Sequence, residues 1–134
     1  MSEFNDRIIA EFRAHAGKVG PPFEGAPMVL LTTVGAKSGA QLTTPLVYKQ
    51  EGERIVVFAS AAGAPKHPAW YHNLVANAQV IVEVGAERYG AKAEVITGAD
   101  RDRIYAEQAT IMPGFAEYQD KTDRIIPVVA LSRA

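Results

Sequence analysis

The sequence predicts an α+β domain of mostly β structure, in which about six antiparallel strands close into a small barrel. Short β-branched runs are separated by glycine-containing turns, which is the pattern of hairpins. A parallel sheet would need a helix between successive strands, and this chain lacks such a regular alternation of strands and helices. Six strands are too few for two full sheets, whereas closure into a barrel removes the exposed edges.

The composition restricts the chain to one domain without intrinsic redox chemistry. At 134 residues it has room for a single core, so a second catalytic domain is excluded. Lys+Arg 14 against Asp+Glu 15 gives a net charge of -1, which does not favour nucleic acid. The absence of cysteine excludes disulfides, thiol nucleophiles and cysteine-held iron–sulfur clusters. Any redox activity therefore requires a borrowed cofactor.

The first 27 residues predict an amphipathic helix followed by a linker. Ser2 is a candidate N-cap, and the helix should end near Gly17. Its apolar residues recur at spacings of three and four: Phe4, Ile8, Ile9, Phe12 and Ala16. Glycine and proline dominate residues 18–27, so we divide the chain into residues 1–27 and a barrel domain of residues 28–134. Packing on the core is favoured for this helix, and weak membrane association through it stays open as an alternative.

The strands and remaining helices follow in order. The six predicted strands span residues 28–34, 43–49, 54–60, 79–84, 88–97 and 125–131. Pro68 is expected as the first residue of a short helix that ends near Asn77. Asp100 is expected to cap a longer helix that Pro113 and Gly114 terminate. Gly90 suggests a bulge in the fifth strand.

The amino-terminal residues and the apolar runs predict a cytoplasmic protein. Acidic residues stand where a signal peptide would be basic, and no apolar run reaches the length of a membrane span. Peripheral contact with a membrane through the N-terminal helix is the alternative that remains.

Two segments have the composition of ligand sites. Residues 35–39 form a glycine-bounded turn whose N–H groups, Lys37 ammonium and Ser38 hydroxyl suit a phosphate, although a plain hairpin turn explains them too. Residues 59–74 join a strand end to a helix start through a loop of small side chains, which suits a flat ligand. The alternative is an ordinary connection with Trp70 in the core. Between residues 28 and 82 the cations Lys37, Lys49, Arg54 and Lys66 outnumber the acids Glu51 and Glu53.

Other chemistries find little support in the sequence. His67 and His72 are five residues apart, which does not match a helical metal pair, so we expect no metal site. The serines lack the context of a nucleophile elbow. Phe115 and Tyr118 follow a break between helices, where they either plug the end of the barrel or face a substrate.

Several ordered motifs together resemble one family. They are Leu30 to Gly39, Thr44-Pro45-Leu46, Val57 to Ser60 with the Gly63 loop, Pro68 to Leu74, and Tyr118 to Pro127. This set is similar to the deazaflavin-dependent nitroreductase family, whose members are split β-barrel oxidoreductases that use reduced coenzyme F420. The likeness runs from about residue 28 to residue 131. It implies a split barrel of the pyridoxamine-oxidase or FMN-binding type with flanking helices.

The resemblance also implies roles for individual residues. The phosphate and oligoglutamate tail of the cofactor would run toward Lys37, Ser38 and Gly39. The deazaflavin ring would lie over the strand end and loop at Ala59 and Ser60 and over the helix start at Trp70 and Tyr71. The other residues implied for cofactor binding are Pro45, Ala61, Gly63, Lys66, Ala69 and Asn73. Ser60, Tyr118 and Phe115 are the expected catalytic group. Tyr118 is the candidate donor to the acceptor oxygen, and protonation by solvent is the alternative.

The chain departs from the family pattern at four places. Ala36 and Leu42 stand where the family often has arginine, and Ala61 stands where it often has lysine. Each missing cation removes a charge-assisted contact of about 1.5–3 kcal/mol. Either Lys66 substitutes from nearby, or we expect weaker tail binding or a preference for a shorter tail. Phe115 takes the place of a tyrosine found in nitroimidazole-reducing members, so we do not expect reduction of such a prodrug.

The resulting hypothesis is hydride transfer from reduced F420 to a quinone, enone or nitroaromatic acceptor. Two alternatives stay open: an FMN-dependent reductase on the same barrel, and a non-catalytic barrel that binds a cofactor or lipid. The expected partner is a small-molecule electron acceptor and not nucleic acid, and the assembly is a monomer or a homodimer.

Overall fold

The computed structural model describes residues 3–21 and 23–134, and within them four helices and six strands form one barrel with an outer cover. The candidate cap Ser2 lies outside the described residues. The helices span Glu3–Ala14 (α1), Ala69–Ala76 (α2), Gly98–Ile111 (α3) and Gly114–Asp120 (α4), with a single 3₁₀ turn at Ala61–Gly63. The strands span Met28–Val34 (β1), Gln41–Glu51 (β2), Arg54–Phe58 (β3), Gln79–Val84 (β4), Glu87–Ile96 (β5) and Val128–Arg133 (β6).

The six strands close into an antiparallel barrel in the order β1-β2-β3-β6-β5-β4, with β4 paired back onto β1. Alternate residues of each strand point inward, so Val29 and Leu31 of β1 meet Val80 and Val82 of β4 in the buried interior. The predicted antiparallel barrel is therefore confirmed.

One seam of the barrel is incomplete. β2 and β3 pair at only four positions, from Tyr48 opposite Val57 to Glu51 opposite Arg54. Before Tyr48, β2 pairs with β1 alone, while β3 stops at Phe58 and its chain turns away. The two strands separate at this point and leave a gap between them.

α1 covers the outer face of β1. Ile9 and Phe12 pack on Met28 and Leu30, which point outward from the barrel. Arg13 adds a two-point ion pair, with Nε and Nη2 donating to Glu83 of β4 at 3.1 and 2.9 Å. The helix is thus part of the core packing, as the favoured interpretation of its pattern required.

α3 and α4 cover the outer face of β3 and β6. Ile104 and Tyr105 of α3 and Phe115 of α4 form one buried cluster with Phe58. The Tyr105 hydroxyl donates to the carbonyl of Phe115 at 2.6 Å. Burial raises the pKa of Tyr105 to about 12, so this donor keeps its proton at neutral pH.

Among residues 3–21 and 23–134, the helices are all too short or too polar to cross a bilayer.

The last strand begins later than predicted. Residues 125–127 are not strand, because side chains take the backbone groups of Ile126: its N–H donates to Gln119 and its carbonyl accepts from Arg101. Ile125 is 71% exposed, and the strand runs on to Arg133.

Three local expectations are also wrong. Gly90 forms no bulge, because it lies opposite Ile81 in an unbroken register. Pro68 precedes α2 as its cap, since its ψ of 156° is extended. Asp100 lies in the first turn of α3, which begins at Gly98 after Thr97. Strands β1 and β4 have the predicted bounds.

Candidate functional site

A pocket of about 340 Å³ lies where β2 and β3 separate. Its lining comes from β2, the end of β3, the 3₁₀ turn, the start of α2 and the region of α4: Thr44, Pro45, Leu46, Val47, Phe58, Ser60, Ala61, Ala62, Pro68, Trp70, Met112, Phe115 and Tyr118, with Met28 and Phe23. Six of the predicted site residues therefore meet at one place: Pro45, Ser60, Ala61, Trp70, Phe115 and Tyr118.

Aromatic and apolar side chains form most of the pocket wall. Trp70 is only 4% exposed and belongs to the barrel core, which confirms the core interpretation, and it also contributes to the pocket lining. Phe115 is buried and lies 5.3 Å, ring centre to ring centre, from both Phe58 and Tyr118. Phe23 brings the linker after α1 to the pocket, a contribution that sequence reasoning missed.

The polar part of the pocket is the loop after β3. Ser60 is helical in backbone conformation, and Ala61 and Ala62 follow with φ of 46° and 54°. Left-handed alanines are unfavourable, and such strain concentrates at ligand sites. Within the described chain, the N–H groups of Ser60 and Ala61 have no hydrogen-bond partner. The loop thus offers two free donors beside apolar walls.

Gly63 ties this loop to α4. Its φ is +81°, and a Cβ there would lie 2.8 Å from the Tyr118 carbonyl and 3.0 Å from Lys121 Cβ. Only glycine allows the turn and the helix to approach so closely. The predicted residue Gly63 is therefore a packing position beneath the loop.

Arg124, which sequence analysis did not assign to the site, holds the same loop from behind. Its guanidinium donates to the carbonyls of Ala59, Ser60 and Ala64 at 3.0, 2.7 and 2.9 Å. Nη1 also lies 3.0 Å from Nδ1 of His67. No local pattern reveals this role, because the partners lie about sixty residues away along the chain.

A second pocket of about 720 Å³ adjoins the first across the start of α2. It contains the predicted Lys37, Ser38, Ala69 and Asn73 together with Gly35, Ala36, Ala40, Gln41, Leu42 and His72. The two pockets share β2, since Leu42 lines one and Thr44 the other. The glycine-bounded turn therefore lies next to the aromatic pocket.

Asn73 fixes the turn and does not offer a free amide. Its Oδ1 accepts from the Ala36 N–H at 3.0 Å, and its Nδ2 donates to the Thr33 hydroxyl at 3.1 Å. Lys37 and Ser38 are exposed, and the Ser38 oxygen accepts from the Ala40 N–H. The side chain of Lys37 and the hydroxyl proton of Ser38 remain available to an anion.

The other predicted residues lie around these pockets. Ala59 is buried behind the loop, and Tyr71 packs against His67 with ring centres 4.7 Å apart. Gly39 and Lys66 are exposed on the turn and on the loop before α2. None of these four lines either pocket.

Ion pairing reduces the cationic stretch that the sequence indicated. Lys49 pairs with Glu51 and Glu107, and Arg54 pairs with Glu94. Within the part of the chain that the structure describes, Lys37 and Lys66 have no ion-pair partner. The local positive charge is therefore concentrated near the turn and the loop.

The three positions that lack a family cation all line the pockets. Ala36 and Leu42 lie in the wall beside Lys37, and Ala61 lies beside Ser60. The substitutions leave the lining of both pockets more apolar than arginine or lysine would.

Two further findings concern other kinds of site in the described structure. A larger groove of about 860 Å³ lies on the outer face of β1, β4 and β5, but it contains none of the predicted residues. Among the described residues, no cluster of three histidines or carboxylates could hold a metal ion.

Comparison with known proteins gives a consistent family. A family model described as F420H(2)-dependent quinone reductase matches residues 6–133. An F420H(2)-dependent quinone reductase of Mycobacterium tuberculosis is 39% identical over 130 residues, which cover 92% of this chain and 86% of that protein. The resemblance to F420-dependent split-barrel oxidoreductases is thereby confirmed.

Solved structures agree in fold. The structure of an F420-H2 dependent reductase, FDR-A, has a TM-score of 0.72 and 40% identity, and the match covers 79% of this chain and 94% of that one. A structure from Listeria innocua titled as a pyridoxamine 5′-phosphate oxidase has a TM-score of 0.56 at 13% identity, covering 98% and 94%. The second likeness shows only the fold, which is of the predicted pyridoxamine-oxidase type.

The contact between His67 and Arg124 predicts a loss of stability in mild acid. Desolvation, then Arg124 and then His72 lower the pKa of His67, so the folded protein holds it neutral. As pH falls through about 6.5, the unfolded chain takes up this proton first, and stability decreases until the folded pKa is passed. His67→Asn keeps an acceptor without titrating. Its Tm should fall less than that of the unaltered protein between pH 7.5 and 5.5.

His15→Asn is the control, because His15 is exposed beyond α1 and does not contact Arg124. It should keep the pH dependence of the unaltered protein. If Tm falls with pH in parallel for all three proteins, His67 is not the source of the loss of stability in mild acid.

Proposed function

Because the chain belongs to the F420H(2)-dependent quinone reductase family, we propose that it transfers a hydride from reduced coenzyme F420 to a quinone bound beside Phe115 and Tyr118. The observation that carries the proposal is the pocket at the separation of β2 and β3, with an anion-suited turn in the adjoining pocket. We include enones and nitroaromatics as further electron-poor acceptors.

The residues present fit a deazaflavin. A tricyclic ring needs apolar walls, and Pro45, Trp70 and Phe115 provide them. Its polar edge needs hydrogen-bond donors, and the free N–H groups of Ser60 and Ala61 lie at the same pocket. The acidic tail needs cationic and hydroxyl groups, which Lys37 and Ser38 offer next door.

When bound, the reduced deazaflavin supplies the hydride and therefore both electrons. The protein's part is to hold the acceptor in line and to exclude water. We assign this to Phe115 and Phe23, which contribute apolar surface to the pocket lining. Phe115 offers no hydroxyl, so it acts as a wall.

Quinone reduction to the quinol also requires one proton on an oxygen. Tyr118 lines the pocket, and its hydroxyl has no hydrogen-bond partner among the described residues. It is therefore available to donate to the acceptor oxygen. Tyr105, the other phenol nearby, is committed to the Phe115 carbonyl.

The direct test is titration of the purified protein with oxidised F420, followed by absorbance decay of reduced F420 with menadione. We expect saturable binding at micromolar cofactor and oxidation that depends on both enzyme and menadione. Titration with FMN is the matched control, and it should give weaker binding than F420.

Failure of F420 to bind at micromolar concentration would refute the proposal. Tight FMN binding with flavin-dependent turnover would support the FMN reductase instead. F420 binding without oxidation by any acceptor would support a non-catalytic barrel.

The turn predicts a tail-specific effect of Lys37→Ala. Removing one charge-assisted contact should weaken F420 binding about ten-fold. It should leave unchanged the binding of the tail-less deazaflavin chromophore, as measured by fluorescence. Lys18→Ala, at an exposed lysine outside both pockets, is the control. Equal affinity for F420 in the two variants would show that Lys37 is only a surface residue.

The free phenol predicts that Tyr118→Phe lowers kcat for menadione at least about ten-fold, because a positioned general acid is lost. F420 affinity should stay within about two-fold. Tyr89→Phe, on β5 beside Arg133, is the control for loss of a phenol elsewhere. An unchanged kcat in Tyr118→Phe would assign the proton to solvent.

A further inference from the structure

Arg124 differs from most arginines of this protein in having only uncharged partners. Arg13, Arg54, Arg101, Arg103 and Arg133 each have a carboxylate within 4.0 Å. In the described chain, the Arg124 guanidinium contacts three backbone carbonyls and His67 instead. An arginine keeps its charge in proteins, so an uncompensated positive charge lies directly behind the Ser60 loop.

These contacts oppose the strain of the loop. Two left-handed alanines in succession are unfavourable, and the loop keeps this shape only if its surroundings enforce it. Arg124 fixes the carbonyls at both ends of the loop, at Ala59 and at Ala64. The planar guanidinium suits this task because its donors are held in a rigid fork.

Two of the carbonyls that Arg124 binds belong to peptide groups whose N–H groups lie at the pocket. The Ala59 and Ser60 carbonyls share their peptide units with the N–H groups of Ser60 and Ala61. A trans peptide directs its N–H away from its C=O, so these donors point away from Arg124. A cationic donor on a carbonyl polarises the peptide and strengthens its N–H as a donor. Both of these N–H groups lack a hydrogen-bond partner among the described residues, and both residues line the pocket.

We propose that Arg124 is the positioning residue of the ring site: it holds the Ser60 loop in its left-handed shape and strengthens the N–H groups that receive the polar edge of the cofactor ring. The proposal rests on the proposed function for the identity of the ring. It adds a residue that touches neither cofactor nor acceptor and acts through the loop.

The test compares Arg124→Gln and Arg124→Lys with Arg101→Gln. Arg101 is a matched control because its guanidinium, like that of Arg124, donates to a backbone carbonyl. Its partner is the carbonyl of Ile126, in the segment before β6, and Arg101 lines neither pocket. All three variants should lower Tm. Arg124→Gln should weaken binding of F420 and of the tail-less chromophore by the same factor, about ten-fold or more. Arg124→Lys keeps the charge but not the forked guanidinium, so its affinity for both ligands should lie between those of Arg124→Gln and the unaltered protein. Arg101→Gln should bind both ligands within about two-fold of the unaltered protein.

The equal effect on both ligands distinguishes Arg124 from Lys37, whose variant should lose affinity only for the ligand with a tail. A loss confined to F420 would place Arg124 in tail binding and overturn the proposal. Full affinity of Arg124→Gln at a temperature where it is folded would overturn it too. If Arg124→Gln does not fold, full affinity of Arg124→Lys for both ligands would overturn the proposal, and reduced affinity for both would support it.

Amide hydrogen exchange of the ligand-free proteins gives a readout independent of the cofactor. Peptides containing Ser60 to Ala64 should exchange faster in Arg124→Gln than in Arg101→Gln. If the unaltered protein binds no deazaflavin, the proposed function fails. Equal exchange in the two variants would then overturn the role of Arg124 in holding the loop, and faster exchange would uphold that role.

Discussion

The early separation of β2 from β3 is the constraint on which the rest of the structure depends. Complete pairing along this seam would satisfy the backbone groups of both strands and leave no space between them. After four pairs the chain of β3 turns into the Ser60 loop, whereas β2 continues along β1. The gap therefore has apolar side chains from one strand and free backbone donors from the other, which is the combination that a flat, polar-edged ring requires.

The helices stabilise this opening from outside. α1 covers β1 and carries the linker that brings Phe23 to the pocket. α4 contributes Phe115 and Tyr118 and packs on the 3₁₀ turn through Gly63. Neither helix fills the gap, but side chains that pack on the barrel and stabilise it also form part of the cavity wall. Phe115 illustrates this, because it is both a buried core residue and part of the pocket wall.

Local sequence patterns predicted what local physics controls. The bounds of β1 and β4 follow from uninterrupted β-branched runs, and the glycine-bounded turn follows from its composition. The start of β6 could not be predicted from strand periodicity, because the side chains of Gln119 and Arg101, which belong to the preceding helices, take the backbone groups of Ile126. The role of Arg124 was equally inaccessible, since Ala59 and Ser60 lie more than sixty residues earlier. Asn73 was identified as a site residue, but its amide anchors the turn at Ala36.

The close approach at Gly63 makes two walls of the pocket mechanically inseparable. Because the turn touches the backbone of Tyr118 itself, α4 cannot shift toward the Ser60 loop, and any larger residue at 63 would drive the helix outward. The separation between the Ser60 loop and α4 is therefore set by backbone atoms. Under the proposed function, acceptor preference would then vary through the side chains at positions 115 and 118, because the separation between the loop and the helix is fixed.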